Sequence, residues 1–177
     1  MRKPVKRAAL LAVLCAVNAG VFSQDAAGYQ TGVDFRGHPW GTGLEEFTAK
    51  EGQPVDREEH GGLSSLMYEH IGVAGYTAYM LVYFSEAGLE GGTYYFLTEI
   101  LDELMRCYRE LQRKLIDRYG PSPLMDEMLR EPRPYNSSWH TAEGSIHLKV
   151  NTRRNDPVTL WYSSPALTRK LSGPAAF

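Results

Sequence analysis

The side chains in this chain that could perform chemistry are five histidines, scattered serines and carboxylates, and a surplus of aromatic rings. The histidines stand at positions 38, 60, 70, 140 and 147. No two are three or four residues apart, so no helical face offers a chelating pair, and nothing has the spacing of a zinc protease. No metal site and no cofactor are expected. His140 and His147 would approach across a hairpin turning at Glu143-Gly144, and Glu143 lies near both. Two imidazoles and a carboxylate brought together in this way are the groups that general acid–base hydrolysis uses. Nucleophilic serine chemistry has no comparable signal, because no Gly-x-Ser-x-Gly elbow is present and no Ser, His and acid are ordered as a triad. The run Gly37-x-x-x-Gly41-x-Gly43 lacks the lysine and the preceding long strand of a phosphate loop. Asp56, Glu58 and Glu59 read as a solvated acidic loop, and Trp40 in His38-Pro39-Trp40 as a core plug that seats the first helix. Asn136-Ser137-Ser138 matches a glycosylation sequon.

The aromatic residues offer binding chemistry instead. Tyr76, Tyr79, Tyr83, Phe84, Tyr94, Tyr95, Phe96, Trp161 and Tyr162 exceed what one helix-covered sheet face needs. On a strand, side chains alternate between faces, so Tyr79 and Tyr83 share one face while Tyr76, Met80 and Phe84 share the other. If helices cover one face only, the second presents rings to a protein, peptide or glycan. Cross-strand aromatic pairing that stabilises the sheet is the competing explanation. Tyr79, Tyr83 and Trp161 are the candidate binding residues.

The elements that would position these residues follow from periodicity. Residues 33–36 suggest a brief strand. Thr42 and Glu45 have the spacing of a capping box ahead of a short helix with Leu44 and Phe47 on its apolar face. Residues 55–62 read as a charged loop. Three strands follow, near 66–71, 76–84 and 91–96. Ile100, Leu104, Tyr108, Leu111, Leu115 and Tyr119 then recur at helical steps over 99–119, with Gly120-Pro121 as the stop. Residues 121–135 hold four prolines and read as a long connection, with room for a turn of helix at 125–129. Three final strands are expected at 138–142, 145–151 and 158–163. The expected fold is therefore α+β, an antiparallel sheet with two helices packed on one face, in helix-β-β-β-helix-β-β-β order.

With Phe35-Arg36-Gly37, Trp40-Gly41-Thr42, Glu45-Glu46, Tyr119-Gly120-Pro121, Trp139, Ile146-His147-Leu148 and Leu160-Trp161-Tyr162-Ser163 in place, the chain resembles a family of small exported bacterial proteins without an assigned function. The resemblance runs from about residue 33 to 164. Its motifs are structural punctuation, so it implies a fold and supplies no catalytic residues.

The remaining expectations concern address and partners. Arg2, Lys3, Lys6 and Arg7 precede the apolar run 8–17, and small residues lead to Ser23-Gln24-Asp25, the order of a secretory signal peptide. The run is shorter than the ~20 residues a spanning helix needs. Cleavage is expected at Ser23, with Ala19 as the alternative. Cys15, preceded by Leu14, is a poor lipidation site. The expected layout is a signal over 1–23, a flexible lead-in over 24–32, one domain over 33–164 and a tail over 165–177. Loss of 1–23 leaves 15 Lys and Arg against 21 Asp and Glu, a balance of −6 that argues against a nucleic-acid partner. It also leaves Cys107 as the single cysteine, without an internal disulfide partner and expected to be buried and inert. The sequence reading is thus an exported periplasmic or cell-envelope domain, without a stable membrane span after processing, that binds an envelope protein, peptide or glycan without catalysis. A small secreted hydrolase that assembles histidines and carboxylates by its fold is the alternative.

Overall fold

Seven segments of the chain have the side-chain alternation or edge character that suits a pleated sheet. The computed structural model describes residues 28–30, 32–98, 100–122, 134–152 and 156–172. The signal segment, most of the lead-in and the turn of helix expected at 125–129 lie outside them. The order is α1 (Leu44–Glu51), β1 (Asp56–His60), β2 (Leu63–Val73), β3 (Tyr76–Ser85), β4 (Gly88–Phe96), α2 (Leu101–Tyr119), β5 (Pro134–Thr141), β6 (Gly144–Asn151), β7 (Val158–Ser163) and α3 (Pro165–Ser172). The strands form one sheet in the order β1-β2-β3-β4-β7-β6-β5. Every pairing is antiparallel, so the sheet consists of two meanders joined where β4 pairs with β7.

One face of this sheet builds the core. Ala78, Met80, Val82 and Phe84 alternate inward along β3, and Ile146, Leu148 and Val150 do so along β6. The α2 stripe of Leu104, Tyr108, Leu111 and Leu115 buries itself against this face. The Tyr108 hydroxyl, 3.0 Å from Ser137 Oγ, ties α2 to β5. Phe47 of α1 meets Phe84 and Tyr68 edge-on. Adjacent glycines on β4 define the two faces. A Cβ on Gly92 would lie 2.2 Å from the Phe35 ring, and one on Gly91 would lie 2.8 Å from Leu167 of α3. Neighbouring residues on a strand point oppositely. Phe35, α1 and α2 therefore pack on one face, and α3 packs on the other.

The expected fold class is corrected by this architecture. Among the described residues the protein is predominantly a seven-stranded antiparallel sheet with three helices, not a two-helix α+β arrangement with six strands. The segment 55–62, read as a loop, contains β1. Its Asp-Arg-Glu-Glu-His sequence has no apolar alternation because β1 is an exposed edge strand, where charge discourages pairing with other chains. The expected tail contains α3. Ser164 Oγ accepts from the Leu167 N–H, and Pro165 occupies the first turn, where its missing donor costs nothing. The capping box at Thr42 is not formed. Gly43 occupies the cap position of α1 without a side-chain bond, and the Thr42 hydroxyl donates to the Pro39 carbonyl instead. The brief strand at 33–36 reduces to a bridge between Phe35 and His38 around a tight turn.

Candidate functional site

Among the described residues, α3 covers the sheet face opposite α1 and α2 near Gly91, Ser145 and Ser163. The rest presents side chains from all seven strands. Tyr83 stands opposite Gly91, while Trp161 stands opposite Thr93. Both neighbours on β4 are small, so the two rings meet diagonally across that strand, 6.3 Å apart and 27° from parallel. Tyr79 is 36% exposed and pairs with Tyr95 on the same face. The structure thus places Tyr79, Tyr83 and Trp161 on one open face and brings Tyr83 and Trp161 into contact. Tyr95 belongs with them, and the alternation along β4 was the signal that could have identified it. Burial pushes the Tyr83 hydroxyl up to about 12, so it stays protonated and able to donate at neutral pH. The Trp161 Nε1 is buried without a hydrogen-bond partner.

Trp161 forms one wall of a pocket of about 340 Å³ that also involves Asn136, His140, His147, Lys149 and Thr168. The β5–β6 hairpin positions the imidazoles, whose centroids are 5.2 Å apart. Burial, and then the neighbouring His140, lower the His147 pKa. His147 is therefore half-buried beside a second imidazole. At the opposite end of the face, Asp56, Glu58, Ser65, Met67 and Leu81 line a smaller pocket of about 200 Å³. The aromatic ridge lies between a flank bearing lysine and imidazoles and a flank bearing carboxylates.

Among the described residues, the two imidazoles pair with serines and not with Glu143. His140 Nδ1 pairs with Ser145 Oγ and His147 Nδ1 with Ser138 Oγ, each at 3.0 Å. Both serines are buried, and among the described residues that line the pocket none is a carboxylate. Glu143 is exposed, and its backbone carbonyl accepts from Trp40 Nε1. The other candidates are structural. His38 is buried on Phe47 with Nε2 3.0 Å from Glu51 Oε1. Cys107 is buried, and burial raises its thiol to about 12. Among the described residues, no three His, Cys, Asp or Glu side chains are grouped to hold a metal ion. No described helix is long and apolar enough to cross a membrane.

No protein-family model matches the chain, and no curated protein does either. Solved structures similar to it include a cysteine-rich secretory protein of Staphylococcus aureus, at 7% identity and a TM-score of 0.47, covering 78% of this chain and 49% of that one. An extracellular protein containing an SCP domain from Bacillus anthracis has 16% identity and a TM-score of 0.44, covering 80% of this chain and 53% of that one. A DUF4309 family protein from Bacillus subtilis has 12% identity and a TM-score of 0.42, covering 69% of this chain and 78% of that one. The chain spans about half the length of the first two. These overlaps stop short of a common fold and carry no functional information.

Proposed function

We propose that this protein is an exported, non-catalytic domain of the periplasm or cell envelope that binds a protein, peptide or glycan partner through the open face of its sheet. The observation that carries this reading is the Tyr83–Trp161 ridge, which stands on a face that α3 covers only at one end. Large aromatic rings with polar tips, half-exposed beside pockets, supply contact area and hydrogen bonds together. Lys149 and the imidazoles on one side, with Asp56 and Glu58 on the other, would orient a partner along the face. Export rests on the basic head, short apolar run and polar start of residues 1–25. The test is affinity capture from the protein's own cell envelope with wild type and with Tyr79→Ser, Tyr83→Ser and Trp161→Ala. Loss of the partner at retained fold supports the proposal. Unchanged stability together with unchanged partners in all three variants rejects it.

A further inference from the structure

The β5–β6 hairpin brings two imidazoles together more closely than orienting a partner requires. Ser138 stands directly opposite His147, and His140 directly opposite Ser145. Residues two apart on a strand share a face, so all four side chains project from the same side of the hairpin. That side is the one α3 covers in part, because Thr168 Oγ1 reaches Ser145 Oγ at 3.4 Å. The two histidines are therefore diagonal neighbours, with ring centroids 5.2 Å apart and planes inclined at 69°.

Each ring is held by one nitrogen. His147 Nδ1 lies 3.0 Å from Ser138 Oγ, and His140 Nδ1 lies 3.0 Å from Ser145 Oγ. Both serines are buried, so these contacts anchor the rings to the sheet. A hydroxyl oxygen accepts as well as donates, so each imidazole can carry its proton on Nδ1 and keep the Nε2 lone pair free. Among the described residues, neither Nε2 has a hydrogen-bond partner. Metal-binding histidines are supported in this way, one ring nitrogen donating to a fixed acceptor while the other faces the ion. The separation fits as well. Two imidazole nitrogens bound at ~2.0–2.1 Å to one tetrahedral ion set their ring centroids about 5 Å apart. Burial, and then His140, lower the His147 pKa, which favours the neutral ring that ligates metals.

We propose that His140 and His147 form a two-histidine site for a divalent transition-metal ion of the zinc and copper type, bound through both Nε2 atoms. Imidazole suits zinc, copper and nickel, whereas calcium and magnesium take oxygen ligands. None of the described residues lining the pocket is a carboxylate, which favours the first group. The pocket of about 340 Å³ beside the rings has room for water in the remaining coordination positions. The spacing of the pair in sequence matches no helical chelate, and the two rings become neighbours only when the hairpin sets them diagonally across two strands. The site does not depend on partner binding at the aromatic ridge, although Trp161 walls the same pocket.

Zinc chloride is the probe and magnesium chloride its control, with affinity read by isothermal titration calorimetry and coordination by imidazole nitrogen-15 shifts. Zn(II) should bind at one ion per chain and move the Nε2 resonances of His140 and His147, and Mg(II) should do neither. His140→Asn and His147→Asn should each weaken Zn(II) binding about tenfold or more, since loss of even an outer-shell partner costs ~10–100-fold. His140 is exposed, so His140→Asn should keep the wild-type Tm, which separates lost binding from lost folding. His60→Asn, on edge strand β1, and Trp161→Ala should still bind Zn(II), so the metal site and the ridge can fail separately. The proposal is overturned by undiminished Zn(II) binding in the two hairpin variants, by an equal response to Mg(II), by a loss in His60→Asn as large as in His140→Asn, or by Nε2 resonances that do not move.

Discussion

Gly92 carries more of the packing than its size suggests. The Phe35 ring occupies the space a side chain would need, and the same ring stacks on Tyr94 at 5.2 Å. Gly92→Ala should lower stability by about 1–3 kcal/mol through overpacking, seen as a lower urea midpoint at an unchanged m-value. His147 makes stability depend on pH. Its folded pKa lies below the ordinary 6.5, so under mildly acid conditions the unfolded chain takes up a proton that the folded protein resists. Stability therefore falls as pH drops from about 6.5 toward the folded value. Urea midpoints stepped through that window should show a slope that His147→Asn flattens. At this scale the placement of Tyr79 and Tyr83 was legible in the sequence, because both lie on one strand of period two. The Tyr83–Trp161 contact was not, because it depends on the pairing of β4 with β7, strands distant in sequence. The approach of His140 to His147 was legible from a local hairpin. Their serine partners were not, because hydroxyls are too common to signal a particular pairing.

Among the elements, α3 sets the boundary of the open face. Ser164 caps it, and the same hydroxyl donates to the buried Glu90 carboxylate, which also accepts from Ser85 at 2.9 Å. Ser164→Ala should cost about 1–2 kcal/mol, since it removes the cap and one partner of a buried carboxylate. The measurement is hydrogen exchange at the Leu167 and Thr168 amides, which should speed up before the sheet amides respond. The helix α2 was legible because a long amphipathic stripe ending in Gly-Pro admits few other readings. Strand β1 was hidden by its charge, since an edge strand has no buried face to impose an apolar period. Helix α3, as short as α1, was hidden because it lacks the Thr-x-x-Glu spacing that prompted the reading of α1, and eight residues alone show too few turns to establish a helical stripe. Both omissions shaped the expected fold. One more strand and one more helix turn a two-helix layer into a sheet with helices on both faces.

For the whole molecule, the two faces of the sheet are covered differently. The α1–α2 face holds the core. The α3 face leaves an aromatic ridge between a basic and an acidic flank. The central claim is that this ridge is the partner-binding surface. Its most direct test is quantitative capture from the native envelope by wild type, by the Tyr83→Ser, Trp161→Ala double variant, and by Leu97→Ser, which alters an exposed apolar residue that lines neither pocket. The double variant should keep its far-ultraviolet spectrum and cooperative unfolding and lose the captured partner, while Leu97→Ser retains it. Equal capture by all three proteins would contradict the account.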